Sequence, residues 1–301
     1  MPRSDPQRQH QPPALVSVVI PARDVAATIG EQLDALAQQR GAPRFEVVVV
    51  DNDSTDDTSQ IVSEYAARDM RFRCLPAHER AGINYARNCG VEASRGELIL
   101  FCDADDVVCP EWVREMTAAA LSADLIGGPL EIHQINDGPT QNSRPRPHPP
   151  GQLPVSFGFL PYAIGANLGV WRDLILAVGG FDEDAVSTAD DIDFCWRLQL
   201  LGYRLVFAEG ASVHYRYRTS AKATLTQAYR YGQGDVWLFS RYRHHGLSRG
   251  TVRGTGKAVL RILLDGLRQL PDASTRRMWL WRACHLLGRW RGAIRTRTVM
   301  L

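Results

Sequence analysis

The chain has 301 residues, of which 45% are hydrophobic and 23% charged, so it can form a large core and is not a disordered chain. Its six cysteines show no C-x-x-C spacing, which argues against a zinc site or a disulfide framework and favours reduced, mostly buried thiols. No run of about 18 apolar residues occurs, so we expect no membrane span.

The formal net charge of +2 is unevenly distributed along the chain. Residues 1–214 hold 17 Lys and Arg against 30 Asp and Glu, whereas residues 215–301 hold 18 against 3. A basic tail of this kind predicts contact with an anionic surface, either lipid head groups or nucleic acid. Residues 1–13 are polar and rich in Pro and Gln without an apolar segment, so we expect a disordered leader and no signal peptide.

Strands and helices alternate through the first part of the chain. Runs of β-branched and apolar residues predict strands, the first of which should stop at Pro21, and apolar residues at helical spacing predict the helices between them. This alternation is typical of βαβ units and a mostly parallel sheet. The predicted strands are residues 15–20, 45–50, 71–75 and 98–102, and the predicted helices are residues 28–39, 58–68 and 84–94.

Three of these strands are followed by polar loops: Pro21–Asp24, Asp51–Asp57 and Asp103–Asp106. Ligands of parallel sheets bind beyond the carboxyl ends of the strands, so the three loops should converge on one site. Carboxylates as crowded as those of the last loop raise each other's pKa unless a cation compensates. The pattern therefore favours a metal-diphosphate site, although the last loop alone is equally compatible with a solvated acidic turn.

The middle of the chain continues with a helix over residues 111–121 and an irregular stretch over residues 133–155. That stretch is rich in Pro, Gly, Asn and Arg, and it fits a mobile loop over the site and a disordered insertion equally well. A helix over residues 190–201 opens with several aspartates, where the helix dipole favours anions. Strands are then expected over residues 204–207 and 211–217, the second of which contains His214.

The basic tail carries two apolar stripes at helical spacing. One contains Val259, Ile262, Leu263, Leu267 and Leu270, and the other contains Trp279, Ala283, Leu286, Leu287 and Trp290. Flanking arginines make an interfacial helix lying in the plane of an anionic membrane our preferred interpretation. The alternative is that two helices pack these stripes on the globular body.

A set of short motifs, in a fixed order, resembles the family 2 glycosyltransferases with a GT-A fold. The resemblance covers about residues 15–218, and the order and spacing of the motifs are more specific than any one of them. The motifs are Val18-Val19-Ile20-Pro21, Val50-Asp51-Asn52-Asp53-Ser54-Thr55-Asp56, Ala86-Arg87-Asn88-Cys89-Gly90, Asp103-Ala104-Asp105-Asp106, Gly179-Gly180-Phe181-Asp182-Glu183 and Asp190-Asp191.

The resemblance implies an α/β fold, a GT-A nucleotide-binding sandwich over residues 14–218, followed by a basic helical extension over residues 219–301. It implies an enzyme that moves a sugar from a nucleoside-diphosphate sugar, with UDP the first expectation, to a hydroxyl acceptor with inversion. A divalent metal, Mg²⁺ or Mn²⁺, would bind the diphosphate. Because no span could form a channel, we expect a non-processive enzyme. The reduced thiols favour the cytoplasm, and the basic tail favours a peripheral position at the inner face of the cell membrane. That position makes a lipid-linked or cell-envelope glycan the expected acceptor.

The same resemblance implies a role for individual residues. Asp191 corresponds to the general base, although a helix-capping role is the alternative, and Asp105 corresponds to the metal ligand. His214 falls where many such enzymes keep a histidine near the metal or the diphosphate, although a packed or hydrogen-bonded role is equally expected. The remaining assignments are nucleotide-sugar binding by Pro21, Ala22, Arg23, Asp51, Asp53, Arg87, Asp103 and Ala104, the acceptor or sugar loop for Asn167 and Asp190, and a diphosphate contact for Arg230.

Some positions depart from the family pattern. Arg23 and Asp24 stand where an aromatic residue and an Asn are common, Asp53 replaces the usual Gly of the second motif, and Asp190 replaces a Glu. These changes affect the choice of nucleotide more than the reaction. Competing hypotheses are a sugar-nucleotide pyrophosphorylase, which usually carries a glycine-rich basic loop after the first strand, a catalytically inactive scaffold, and a module that binds lipid or nucleic acid through its tail. No nucleic-acid motif is present, so we expect no nucleic-acid partner.

Overall fold

The structure is a computed structural model that describes residues 9–185, 188–247, 259–262, 264–266 and 273–298. Its centre is a seven-stranded sheet, flanked by a small second sheet. The strands are β1 (Val16–Ala22), β2 (Phe45–Asp51), β3 (Phe72–Pro76), β4 (Leu98–Cys102), β5 (Val107–Val108), β6 (Leu125–Gly127), β7 (Leu130–Glu131), β8 (Asn167–Trp171), β9 (Leu205–Phe207) and β10 (Val213–His214).

The large sheet has the strand order β3-β2-β1-β4-β8-β6-β9. Strands β3, β2, β1 and β4 are parallel, β8 runs antiparallel to both of its neighbours, and β6 and β9 are parallel. The predicted α/β fold with a mostly parallel central sheet is therefore confirmed. All residues of β2 and β4 are buried, which explains their uninterrupted apolar sequence, because helices cover both faces of such strands.

The helices of the described residues are α1 (Ile29–Ala37), α2 (Thr58–Arg68), α3 (Ile83–Ala93), α4 (Trp112–Ala120), α5 (Gly138–Gln141), α6 (Arg172–Ala177), α7 (Asp190–Leu200), α8 (Ala221–Tyr242) and α9 (Ala273–Thr296). Apolar spacing predicts several of these correctly to within a residue or two. For α1, the buried Ile29, Leu33 and Leu36 form the stripe that faces the sheet.

The expectation that Pro21 ends the first strand is wrong. Pro21 lies inside β1 and pairs in register with Val50 of β2. On its other side, β1 pairs with β4 only from Val16 to Val19. Pro21 therefore lies where β1 has a neighbour on one side only, which is a position that tolerates a missing N–H group.

The small sheet has the order β5-β10-β7 and follows directly from the acidic loop after β4. Strand β10 runs antiparallel to β5 and parallel to β7. The backbone N–H of Arg216, just beyond β10, donates to Asp106 Oδ1 at 2.7 Å. This sheet fixes the chain around residues 214–218 beside the carboxylates of the acidic loop.

Residues 133–155, expected to be a mobile loop or a disordered insertion, form an ordered segment packed on the body. The segment contains α5, whose first turn is capped by Asp137 through a hydrogen bond from the Thr140 N–H at 2.8 Å. Thr140, Ser143 and Arg144 are buried. The Pro- and Gly-rich composition therefore indicates an irregular path and not disorder, since three side chains of the segment are buried.

The C-terminal helices pack on each other and on the body. A Cβ added at Gly288 of α9 would collide with the Tyr229 carbonyl of α8, and one added at Gly232 would collide with the His285 carbonyl, so the two backbones approach closely. Helix α8 buries Leu238, Phe239 and other apolar residues in a cluster with α7. The boundary expected at residue 218 stays a prediction, but α8 packs as part of the body.

The two expected stripes of the tail have different outcomes. Part of the first, Leu263, Leu267 and Leu270, lies outside the described residues. In the second, Trp279, Ala283 and Leu286 are half-buried, whereas Leu287 and Trp290 are exposed. The half-buried side chains favour packing on the body, whereas contact of the exposed side chains with a membrane stays a prediction. No helix in the described ranges combines the length and apolar character needed to cross a membrane.

Candidate active site

A cavity of about 600 Å³ opens beyond the carboxyl ends of β1, β2 and β4. Seven of the residues predicted to bind the donor or the metal line it: Pro21, Ala22, Arg23, Asp103, Ala104, Asp105 and Arg230. A second cavity of about 440 Å³ adjoins it and contains Asp190 and Asp191. Ile83, Asp103, Arg218 and Arg230 line both cavities, so the two spaces meet at the acidic loop.

Asp103, Asp105 and Asp106 form the acidic cluster of the site, and each has an oxygen within 4.8 Å of the others. Burial raises the pKa of Asp103 to about 6, with Asp105 and Asp190 adding to the rise and Arg87 opposing it. Burial also raises the pKa of Asp105, and burial together with its two neighbours raises the pKa of Asp106 well above its usual range. The cluster therefore favours a compensating positive charge.

The cluster fits a hard divalent cation. Asp103 Oδ1 and Asp106 Oδ2 are buried and have no hydrogen-bond donor in the described part of the chain. Buried oxygens of this kind are satisfied by a cation that prefers carboxylate ligands, such as Mg²⁺ or Mn²⁺. Asp106 holds the backbone of Arg216 through Oδ1 and also belongs to the cluster, where its Oδ2 has no hydrogen-bond donor among the described residues.

Asp191 is held at the floor of the second cavity by two backbone groups. The Gly165 N–H donates to Oδ2 at 3.0 Å, and the Ile192 N–H donates to Oδ1 at 2.8 Å. Burial and the nearby Asp190 raise the pKa of Asp191 to about 7, although Gly165 and Arg87 act in the opposite direction. A carboxylate with a pKa near neutrality is suited to general base catalysis at physiological pH.

Arg87 connects the acidic cluster to the start of α7. Its guanidinium Nη1 lies 2.5 Å from Asp190 Oδ2, and its Nη2 lies 3.6 Å from Asp103 Oδ1. The guanidinium also lies over the Phe181 ring, 5.2 Å from its centre. A Cβ at Gly165 would collide with Nη2, so any larger residue where the loop before β8 passes this arginine would displace the guanidinium. Arg87 therefore places one positive charge between Asp103 of the acidic cluster and Asp190 at the start of α7.

Asp51 and Asp53, both expected to bind the nucleotide sugar, do not line either cavity. Asp51 is buried, and its Oδ1 accepts from the Ser54 N–H at 3.1 Å. Asp53 is exposed at φ 59°, a left-handed conformation that explains why a glycine suits this position, and its carboxylate lies 2.6 Å from His78 Nδ1. Asn52, between them, does line the larger cavity.

Asn167 does not face the site, contrary to its expected place in the acceptor or sugar loop. It is fully buried, and its amide nitrogen donates to the carbonyls of Pro129 and Ala211 at 3.0 and 2.8 Å. Its Oδ1 accepts from Trp112 Nε1 at 2.9 Å. All of its polar atoms are thus used to join β8 to its surroundings, and Gly165 and Ala166 line the cavity in its place.

His214 lies in β10 and lines neither cavity of the site. It is also absent from the group of described residues whose ligand atoms surround one point. Burial lowers the pKa of His214, so the ring is neutral, and its Nδ1 has no hydrogen-bond partner in the described ranges. Its expected contact with the metal or the diphosphate stays a prediction.

Arg216 and Arg218 also lie at the site, although neither was predicted from the sequence. Arg216 Nε donates to the Asp105 carbonyl at 2.7 Å, and its Nη2 lies 2.7 Å from a Glu31 carboxylate oxygen. Arg218 is exposed, lines both cavities and lowers the pKa of Asp105. Strand alternation was the signal in the sequence that could have found them. Side chains at every second position of a strand point to the same side, so residues 216 and 218 should lie on the side of His214 in the expected strand of residues 211–217.

Comparison with known proteins identifies the family. The family model "Glycosyl transferase family 2" matches residues 17–179, more than half of the chain. The chain belongs to the family 2 glycosyltransferases. A related model, "Glycosyl transferase family group 2", matches residues 151–290. The glycosyltransferase AglE of Haloferax volcanii is 30% identical over 231 residues, which cover 75% of each chain.

Solved structures of low sequence identity share the fold of this family 2 glycosyltransferase. The mannosyltransferase PcManGT from Pyrobaculum calidifontis, in complex with GDP-Man and Mn²⁺, has a TM-score of 0.62 and 18% identity, covering 96% of this chain and 88% of its own. S. aureus TarS 1-349, in complex with UDP-GlcNAc, has a TM-score of 0.54 and 19% identity, covering 94% and 92%. These likenesses confirm the GT-A fold.

Proposed function

We propose that this glycosyltransferase moves one sugar at a time from a nucleoside-diphosphate sugar to a hydroxyl acceptor with inversion, and that UDP is the nucleotide. The observation that carries the proposal is that Asp103 of the acidic cluster and Asp191 line the same cavity. A donor held at the cluster can therefore present its sugar to the carboxylate of Asp191. The nucleotide-sugar complexes of PcManGT and TarS, with GDP-Man and UDP-GlcNAc, support the donor class.

On the donor side, Asp103, Asp105 and Asp106 would hold a Mg²⁺ or Mn²⁺ ion. When bound, the ion would neutralise the charge that develops on the departing diphosphate. Arg218 and Arg230 line both cavities, so their side chains can pair with the diphosphate oxygens at the boundary between nucleotide and sugar. Pro21, Ala22 and Arg23 line the larger cavity at the end of β1, where the nucleoside would lie.

On the acceptor side, Asp191 acts as the general base. The acceptor oxygen attacks the anomeric carbon as the bond from that carbon to the diphosphate oxygen breaks, and an oxygen of Asp191 takes the acceptor's proton. The Gly165 and Ile192 N–H groups hold the carboxylate in one orientation for this transfer. One displacement of this kind inverts the configuration of the sugar.

We also propose that the enzyme contacts an anionic membrane from the cytoplasmic side through α9 and uses a lipid-linked or cell-envelope glycan as acceptor. Leu287, Trp290 and Ile294 of α9 are 51%, 49% and 72% exposed, and their spacing places them on one face. Arg291 and Arg295 are exposed beside them, and the tail as a whole is basic. Exposed apolar and arginine side chains together favour an interfacial helix.

A donor screen tests the proposed reaction. Purified protein is incubated with UDP-sugars and GDP-sugars in the presence of Mg²⁺, Mn²⁺ or EDTA, and released nucleoside diphosphate is measured. The expected result is release from one donor class that requires metal. Release from no donor would support an inactive scaffold and contradict the proposal. Nucleoside triphosphate formed from a nucleotide sugar and pyrophosphate would instead identify a pyrophosphorylase.

A further inference from the structure

A third cavity, of about 140 Å³, is also lined by Asp191 but by no residue of the acidic cluster. It shares Asp191, Ile164, Thr188, Tyr215 and Tyr231 with the cavity that contains Asp103. Other parts of its wall come from three places that are distant in sequence: the segment of residues 133–155, helix α8 and helix α9. The additional residues from these elements are Arg144, Pro147, Asp235 and His285.

Arg144 has an unusual environment in this cavity. Two arginines are buried among the described residues, Arg87 and Arg144, which are 3% and 6% exposed. Arg87 pairs with Asp190 and Asp103. Arg144 has no carboxylate oxygen within 4.0 Å in the described part of the chain, and its buried Nε has no hydrogen-bond acceptor there. A buried guanidinium without a counterion is costly, so an anionic ligand would stabilise it.

The neighbours of Arg144 hold its position without neutralising its charge. Its Nη1 donates to Gln227 Oε1 at 2.8 Å, and the guanidinium lies 4.9 Å from the centre of the Tyr217 ring and 5.4 Å from that of Tyr231. The two carboxylates that line the cavity have other partners. Asp191 is held by backbone N–H groups, and Asp235 Oδ2 lies 3.2 Å from His285 Nε2.

We propose that Arg144 binds an oxyanion carried by the acceptor, a carboxylate or a phosphate group. This inference rests on the proposed function, since it takes Asp191 as the base that meets the acceptor hydroxyl. An acceptor must reach Asp191 from the side opposite the departing diphosphate, and the third cavity includes Asp191 but no residue of the acidic cluster. Tyr215 and Tyr231 line the cavity beside Arg144 and provide apolar ring surface for a sugar.

The cavity also gives the basic tail a second role. His285 lies on α9 and Asp235 on α8, so the packing of α9 on α8 closes the wall opposite Arg144. The acceptor site then depends on residues far beyond the acidic loop. A bidentate guanidinium contact selects a carboxylate or phosphate over a neutral hydroxyl, which makes Arg144 a residue that determines acceptor specificity.

Saturation-transfer NMR on the full chain, with UDP and Mn²⁺ present to occupy the donor site, tests the inference. The probes are methyl glucuronide, glucose 6-phosphate and methyl glucoside as the neutral match. We expect a charged probe to bind about tenfold more tightly than methyl glucoside. A preference for the glucuronide identifies a carboxylate as the group recognised, and a preference for glucose 6-phosphate identifies a phosphate.

Variants decide whether the preference comes from Arg144. Arg144→Gln should abolish it, Arg144→Lys should retain part of it, and Arg146→Gln, which removes an exposed charge outside the cavity wall, should leave it intact. Melting temperatures show whether each variant is folded. If Arg144→Gln does not fold, the preference of Arg144→Lys for a charged probe decides whether Arg144 binds the oxyanion. Equal binding of the three probes to the unmodified protein, or an unchanged preference in a folded Arg144 variant, would overturn the proposal. Nucleotide release in the donor screen tests the proposed function separately, without these probes.

Discussion

The two sides of Asp191 are constructed differently. On the donor side, the residues follow immediately after β1, β2 and β4, so a rigid, buried sheet places them. On the other side, part of the cavity wall comes from the segment of residues 133–155 and from two C-terminal helices, and these elements meet through tertiary packing. The difference suggests that donor binding tolerates little change in the sheet, whereas acceptor choice can vary with the packing of loops and helices.

The largest effect is expected for Asp191→Asn. An asparagine cannot accept the acceptor's proton, so we expect the transfer rate to fall by a factor of ~10³. Release of nucleotide from the donor, measured with a coupled assay at saturating donor, checks this. Asp193→Asn is not a suitable control because Asp193 is fully buried and pairs with Arg197. Asp173→Asn, at the start of α6 and outside all three cavities, is a better one. Transfer at the normal rate by Asp191→Asn would exclude it as the base.

The packing of α9 on α8 is tested by Gly288→Ala. Helix propensity alone would stabilise this variant by up to ~1 kcal/mol, but the new Cβ would collide with the Tyr229 carbonyl. We expect a net loss of ~1–3 kcal/mol in the free energy of unfolding, with weaker binding to the third cavity. Denaturant unfolding measures the change. Gly138→Ala, where the added Cβ meets nothing within 4 Å, is the control. A stabilised Gly288→Ala protein would contradict the close approach of the two helices.

The pH dependence of transfer should report Asp191. Its pKa is raised to about 7 by burial and by Asp190, and only the deprotonated carboxylate can accept a proton. Activity is therefore present above this pKa and should fall about tenfold per pH unit below it. A profile of kcat/KM from pH 5.5 to 9 gives the midpoint, with donor affinity measured at each pH because Asp103 also has a raised pKa of about 6. A rate that stays flat down to pH 5.5 with unchanged donor affinity would show that Asp191 is not perturbed or not the base.

The smallest effect is expected at the exposed face of α9. Replacing Trp290 and Ile294 by serine removes apolar surface without touching the cavities, so we expect about tenfold weaker binding to vesicles containing anionic lipid. Flotation of vesicles measures the bound fraction. Met70→Ser is the matched control, because Met70 is 94% exposed but lies between α2 and β3. Equal binding of all three proteins would reject this face as the membrane contact, and binding to DNA without binding to vesicles would support nucleic acid as the partner of the tail.

Local sequence patterns predicted the parts of the fold that short-range chemistry determines. Helix α2 has the expected bounds, Thr58–Arg68, because turn-forming residues precede it and its apolar spacing is regular. Asp103 and Asp105 lie where the strand end predicted them. Pro21 was misjudged because its place in the strand depends on which neighbours β1 has, and a single stretch of sequence does not reveal that.

Residues placed by long-range contacts could not be read in the same way. Asn167 is adjacent to the site in sequence, yet its amide turns inward because Pro129, Ala211 and Trp112 all offer partners there. Arg144 lies in a stretch without periodicity, so no pattern indicated that it would be buried against Tyr217 and Tyr231. The assignment of Asp191 rested on resemblance to the family, since its position at a helix start fits a capping residue equally well.

One measurement tests the central claim that the donor is anchored at the acidic cluster and the acceptor is activated at Asp191. Donor binding is titrated by calorimetry as a function of Mn²⁺ for the unmodified protein, Asp105→Ala and Asp191→Asn, and turnover is measured on the same preparations. We predict that Asp105→Ala loses the metal-dependent part of donor affinity, whereas Asp191→Asn keeps that affinity within about twofold and loses turnover. Unchanged metal-dependent affinity in Asp105→Ala, or equal loss of affinity in both variants, would contradict this division of roles.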